Sequence, residues 1–293
     1  MKILISDAFD PSLPAKLEGF GEVTADSSQL GDVDVVLVRS KTKCTREYID
    51  QARKLRLIIR GGVGLDNIDV EYARSKGIQV FNTAEASAVA VAELAFALML
   101  AVPTRLVEGH LGMTNRQWLK TELKRTELMG KTLGLIGAGN IGTELARRSI
   151  AFGMRVIACD PLLKSHEFVD LVSLDQLFEE ADYISLHVPL TETTEGIINA
   201  ETIAQLRDGV VIVNTARGRC VIEKDIVAAL ESGKIRAYAT DVYDTDPPAD
   251  SCPLYDAKNV IMTPHLGASS GENMLRIGDV VVRILEDFAH QTA

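Results

Sequence analysis

The chain has 293 residues, 46% of them hydrophobic and 25% charged, a balance that suits an ordinary globular protein with room for two compact domains. Its formal net charge of −10 argues against a nucleic-acid partner, because a phosphate-binding face needs a positive footprint that the chain as a whole lacks. No uninterrupted apolar run reaches the roughly 18 residues needed to span a bilayer, since the longest candidate, 84–102, is broken by Glu85, Ser87 and Glu93, so no membrane association is expected. The opening Met1-Lys2-Ile3-Leu4-Ile5-Ser6-Asp7 runs straight into a strand with no signal-peptide pattern. Cys44, Cys159, Cys220 and Cys252 are scattered, with no Cys-x-x-Cys pair. They read as reduced packing thiols of a cytoplasmic protein, with neither a disulfide framework nor a metal site.

Taken in chain order, short apolar runs fall at 2–6, 33–39, 55–60 and 79–82. A second series falls at 132–136, 155–159, 183–187, 210–214, 236–241 and 260–263. Runs such as Val33-Asp34-Val35-Val36-Leu37-Val38 lack clean alternation, which suits parallel strands covered on both faces. Helical spacing between the runs implies right-handed βαβ units, and two series imply two doubly wound α/β domains. Between them, 86–102 is rich in Ala, Leu and Val, long enough for about five turns, and ends at Pro103. A helix apolar nearly all round is buried between layers or domains. The stretch 271–290 reads as a last helix, with Met274, Ile277, Val281, Ile284, Leu285 and Phe288 on one face, and is expected to cross back to the first domain.

The sharpest local signal is Thr132-Leu-Gly-Leu-Ile-Gly137-Ala-Gly139-Asn-Ile-Gly142, which follows an apolar strand and opens a helical pattern. Gly137 permits the tight turn, Gly139 lets a pyrophosphate approach the backbone, and Gly142 lets helix and strand pack closely. The helix N-terminus offers amide donors and a positive dipole end to the phosphates. The next strand ends at Asp160, which can accept hydrogen bonds from ribose hydroxyls and would repel a 2′-phosphate, so NAD is expected over NADP. If the cofactor's hydride reduces a carbonyl, a proton donor is needed as well, and an acid substrate would also take a cation for its carboxylate. Ligands in such folds gather beyond the carboxyl ends of strands. There Arg217 can fork onto a carboxylate, and His265 is the sensible proton carrier.

Several motifs together resemble the D-isomer-specific 2-hydroxyacid dehydrogenases, most closely the phosphoglycerate dehydrogenase branch. They are Gly61-Gly62-Val63-Gly64-Leu65-Asp66-Asn67-Ile68-Asp69, Val91-Ala92-Glu93, the glycine signature above, His187-Val188-Pro189-Leu190-Thr191, Asn214-Thr215-Ala216-Arg217-Gly218, and Thr263-Pro264-His265-Leu266-Gly267-Ala268. The resemblance implies a Rossmann NAD-binding domain at 98–266 and a smaller flavodoxin-like substrate domain made of 1–97 plus 267–293. It implies that Arg217 binds the carboxylate and carbonyl of a small anionic 2-keto or 2-hydroxy acid and that His265 is the general acid/base. It also implies that NAD is lined by Thr83, Gly137, Gly139, Asn140, Ile141, Gly142, Asp160, His187, Val188, Pro189, Thr215, Ala216, Arg217, Asp241, His265, Gly267 and Ala268. The family's histidine-pairing glutamate is replaced by Asp246, whose carboxylate is withdrawn by ~1.5 Å; Asp244 is the nearest substitute.

For the substrate, Val38-Arg39-Ser40-Lys41-Thr42 resembles the anion-binding loop of the phosphoglycerate enzymes, and Arg60 adds a second cation, so the resemblance points to D-3-phosphoglycerate and 3-phosphohydroxypyruvate, with the amides of Gly62, Val63 and Gly64 on the carboxylate. A glyoxylate, hydroxypyruvate or D-lactate type reductase on the same scaffold stays open, as does a corepressor-like NAD-sensing protein. The substrate is expected between the two domains, a homodimer is implied by the resemblance, and no serine-binding regulatory domain is expected.

Overall fold

The structure, a computed structural model, describes residues 1–292. It divides into two units, Met1–Ala90 with Ala268–Ala293, and Val91–Gly267.

The first unit is built on five parallel strands, β1 (Lys2–Ile5), β2 (Glu22–Thr24), β3 (Val35–Val38), β4 (Leu57–Arg60) and β5 (Gln79–Asn82), in the order β2-β1-β3-β4-β5. That is the flavodoxin-like doubly wound order. Successive side chains point to opposite faces. Ile3, Val35, Leu37, Leu57 and Ile59 accordingly enter one core, and Leu4, Val36, Val38, Ile58 and Val80 another. Both faces being covered is the physical reason the strands read as continuous apolar runs. The last helix, Gly271–Thr292, lays Ile277, Val281, Leu285 and Phe288 on the first of these cores beside Leu13 and Leu17.

The second unit carries seven parallel strands, β6 (Thr132–Ile136), β7 (Arg155–Cys159), β8 (Asp170–Leu171), β9 (Tyr183–Leu186), β10 (Val210–Asn214), β11 (Ile235–Thr240) and β12 (Val260–Met262). Their order is β12-β11-β10-β9-β6-β7-β8, a Rossmann arrangement whose direction of winding reverses between β6 and β9. Leu133, Leu135, Val211 and Val213 face one core, Ile136, Ile184, Val210 and Ile212 the other.

Two expectations change. The edge strands β2 and β8 carry no apolar run and are short, so they form only because a neighbouring strand offers its open edge. The apolar helix spans Ala84–Thr104, longer than 86–102 and running through Pro103, and by length and composition alone it could cross a membrane, contrary to the expectation from its charges. Two thirds (67%) of its most apolar window is buried, with Ala92, Ala95, Leu98, Met99 and Val102 packed on the seven-stranded sheet. The chain leaves the helix at Arg105, whose φ of 53° is left-handed.

Candidate active site

β6 leads into the glycine turn. Gly137 has φ +94°, and a Cβ there would lie 2.6 Å from the carbonyl oxygen of His187; its amide donates to the Cys159 carbonyl at 2.9 Å. Gly142, inside the helix Asn140–Ala151, is equally confined, because a Cβ would lie 2.5 Å from the Gly137 carbonyl oxygen. Gly139 differs: it is exposed, and nothing lies within 4 Å of where its Cβ would be. The turn is thus closed on the protein side and open where the first-turn amides, which have no intrahelical acceptors, point outward. At the end of β7 the Asp160 carboxylate accepts from the amides of Ala138 (2.9 Å) and Leu162 (3.0 Å), which fixes it beside the turn. The buried Thr215 hydroxyl has no protein partner among the described residues, and Asn140 and Ile141 lie in the helix's first turn. A cradle shaped by glycines, a fixed carboxylate and a buried unused hydroxyl together fit a dinucleotide.

His187 follows directly on β9 under the same turn. Its Nε2 meets Ser185 Oγ at 2.9 Å, and burial pushes its pKa down to about 3, so the ring is neutral at any physiological pH. Val188 touches the position of a Gly137 Cβ, and Pro189 accepts from the Thr194 hydroxyl, which holds the loop in place.

The other three segments leave the carboxyl ends of β10, β11 and β12, which are neighbours in the sheet. After β10, the buried Asn214 side chain donates to the Arg217 carbonyl (2.9 Å) and accepts from the Ala216 amide (3.0 Å), folding the chain into a turn that presents Arg217. One guanidinium nitrogen of Arg217 donates to the Ala216 carbonyl at 2.6 Å. After β11, the buried Asp241 carboxylate accepts from the Thr263 hydroxyl (2.6 Å), the Leu266 amide (2.7 Å) and the Gly267 amide (2.8 Å). It therefore anchors the segment after β12. In that segment His265 has φ 55°, a left-handed conformation uncommon outside glycine and often met at functional sites. Its Nδ1 is in contact with Asp246 Oδ2, so the shorter aspartate reaches the ring directly and Asp244 is not its partner. The contact assigns the Nδ1 hydrogen to the carboxylate and leaves Nε2 as the exchanging nitrogen. Both side chains are part-exposed, 39% and 46%, which leaves them open to a substrate.

In the N-terminal unit, the backbone amide of Arg39 donates to Asp7 (2.6 Å), and Asn67 donates to the carbonyls of Arg39 (2.8 Å) and Thr42 (2.6 Å). The Arg39 guanidinium reaches the carbonyls of Gly61, Ala8 and Ala268 at 3.4, 3.4 and 3.3 Å, and burial lowers its pKa from the usual arginine value. Arg60 lies against Gly62, where a Cβ would come within 2.0 Å of its Nη1. Asn82 donates to the Val63 carbonyl at 2.5 Å and so pins the loop that includes Gly64. Thr83 is buried, its amide bonded to the carbonyls of Arg60 and Gly62. Sequence reasoning did not single out Asp7, Asn67, Asn82 or Asn214 as the residues that shape these loops. The available signal was a short polar side chain at a strand end, which commonly bonds to nearby backbone.

Comparison with known proteins puts the second unit among the nicotinamide-dependent oxidoreductases, since residues 96–267 match the family described as D-isomer specific 2-hydroxyacid dehydrogenase, NAD binding domain. The chain belongs to that family, and its cofactor is NAD. It is 49% identical over 260 residues to a hydroxypyruvate reductase of Thermotoga maritima, covering 87% of this chain and 85% of that one. It is 43% identical to the D-3-phosphoglycerate dehydrogenase of Methanocaldococcus jannaschii, covering 96% of this chain but 56% of that protein, so it spans about half the length of such relatives. A Staphylococcus aureus NAD-dependent formate dehydrogenase solved with NAD superposes with a TM-score of 0.87 at 30% identity, covering 100% of this chain and 97% of that one.

Proposed function

We propose that this protein interconverts D-3-phosphoglycerate and 3-phosphohydroxypyruvate, the first step of serine synthesis. The observation that carries the chemistry is the contact between His265 Nδ1 and Asp246, with Arg217 at the next strand end but one. In this reading Arg217 takes the substrate carboxylate through its planar fork and orients the C2 carbonyl. His265 Nε2 gives a proton to the carbonyl oxygen in reduction and takes it from the hydroxyl in oxidation. Asp246 holds the ring's tautomer and orientation. The turn from Gly137 to Gly142 would hold the pyrophosphate of NAD and Asp160 its ribose, with Thr83, His187, Val188, Pro189, Thr215, Ala216, Asp241, Gly267 and Ala268 completing the lining, and the nicotinamide would supply the hydride for C2. Arg39 and Arg60 hold the phosphate, and the amides of the loop around Gly62, Val63 and Gly64 join Arg217 on the carboxylate.

A second reading, hydroxypyruvate without phosphate, is favoured by the three backbone carbonyls that already engage Arg39 and by the 49% identity to a hydroxypyruvate reductase. NADH oxidation with 3-phosphohydroxypyruvate, hydroxypyruvate, glyoxylate, pyruvate and 2-oxoglutarate decides between them. The phosphorylated acid is expected to be preferred, and Arg39→Ala to lower kcat/KM for it about 10- to 100-fold, the value of one charge-assisted contact, with hydroxypyruvate little affected. Equal losses for both acids would leave Arg39 a structural role. Silence on every acid, with NADH still bound, would favour a corepressor-like NAD sensor.

A homodimer formed through the unit Val91–Gly267 is part of the same proposal. Leu106, Leu111, Met113, Trp118 and Met129 of that unit are exposed, and burying such side chains would favour association. Sedimentation is expected to give a two-chain mass, and a monomer at micromolar concentration would refute it.

A further inference from the structure

Tyr243 lies three residues before Asp246, and its ring is buried. A buried phenol needs a hydrogen-bond partner, and this one donates to the carbonyl oxygen of Thr263 at 2.7 Å. The same carbonyl accepts the backbone amide of His265 at 3.0 Å, closing the tight turn in which His265 takes its left-handed conformation. On its other side the Tyr243 backbone runs hard against Gly218, where a Cβ would lie 1.9 Å from the Tyr243 carbonyl carbon and oxygen. One residue therefore touches the segment of Arg217, precedes Asp246 in its loop, and bonds to the turn of His265. Beyond Tyr243 the loop is thinly supported: Asp244, Thr245, Pro248 and Ala249 line an open pocket of about 370 Å³.

We propose that Tyr243 is a positioning residue that braces the two arms of the His265–Asp246 pair, its hydroxyl holding the His265 turn at the distance from which Asp246 reaches Nδ1. The inference rests on the reading of His265 as the proton carrier. The ring alone would fill the same space in phenylalanine, so the brace resides in the hydroxyl. The ionisable groups carried by these segments beside His265 are Arg217, Arg219, Asp241, Asp244 and Asp246.

The test is Tyr243→Phe, compared with the wild type and with Asp246→Asn. Two readouts are taken: steady-state kinetics with NADH and the preferred keto acid, and NMR titration of the His265 ring, identified by its loss in His265→Gln. The loss of one hydrogen bond is expected to lower kcat about five- to tenfold while KM and the NADH Kd stay within about twofold. The His265 midpoint is expected to move the same way as in Asp246→Asn, because both variants loosen the contact between Nδ1 and the carboxylate. A lower melting temperature with kcat and the His265 midpoint unchanged would overturn the brace and leave Tyr243 a core residue. A drop in kcat with no movement of the midpoint would overturn it as well. If the wild type turns over no keto acid, the dehydrogenase reading fails, and the His265 titration in Tyr243→Phe still decides the brace.

Discussion

His265→Ala is expected to lower kcat about 10²- to 10⁴-fold, the usual worth of a positioned general acid/base, with the NADH Kd essentially unchanged. The ring is bonded to Asp246 through Nδ1, so Nε2 is the one nitrogen left to exchange a proton with a substrate, and alanine offers nothing in its place. The side chain is 39% exposed, so its removal empties no core. The backbone is the confounding factor. With φ 55° the position is left-handed, a conformation that costs alanine roughly 1–2 kcal/mol, so the turn could relax. His265→Asn separates the two effects, since asparagine tolerates that conformation but carries no titrating nitrogen. If both variants lose activity alike, the loss belongs to the proton. If asparagine restores most of it, the role is conformational. Near-normal turnover in either variant that still binds NADH would remove His265 from the proton-transfer role.

Much of this arrangement was legible in the residues, for identifiable reasons. Parallel strands buried on both faces carry dense β-branched runs, so β4, β6, β7 and β10 could be read close to their observed limits. Arg217, Asp246 and His265 fall at the ends of β10, β11 and β12, and strand ends are visible wherever an apolar run stops at a polar turn. The edge strands β2 and β8 were not legible, because Glu22–Thr24 and Asp170–Leu171 have no pattern of their own and depend on a neighbour's open edge. The apolar helix was legible as a buried element, but Glu85 and Glu93 do not keep its length and composition from admitting a membrane span. Three features carry no signal in the sequence: the left-handed backbone of His265, the capture of Thr263, Leu266 and Gly267 by the Asp241 carboxylate, and the reach of Asp246 to Nδ1. Each depends on how one loop folds over another, and one sequence records no distance between loops. The missing methylene of Asp246 illustrates this, since chain chemistry predicts a shortfall and yet the carboxylate meets Nδ1.

Gly137→Ala and Gly139→Ala are expected to fail in different ways, and the difference tests the cofactor turn. At Gly137 a Cβ meets the His187 carbonyl at 2.6 Å and its carbon at 2.9 Å, and φ is +94°. Both obstacles are backbone, so no rotamer change relieves them; either β9's exit or the turn must move. The Gly137 amide would then leave the Cys159 carbonyl, and the Ala138 amide would leave Asp160. A cost of about 1–3 kcal/mol follows from forced overpacking, seen as a melting temperature lower by several degrees together with much weaker NADH binding. At Gly139 the protein offers no obstacle within 4 Å and φ is −68°, so the alanine variant should fold with an unchanged melting temperature. Its methyl group would project where the pyrophosphate is expected to approach, so NADH affinity should still fall by about tenfold or more, as a lost close approach at a phosphate-binding turn implies. Fluorescence titration with NADH and thermal melts of both variants supply the measurements. Unchanged NADH affinity in Gly139→Ala would move the pyrophosphate away from this turn, even with Gly137→Ala destabilised, because that loss alone is explained by the fold.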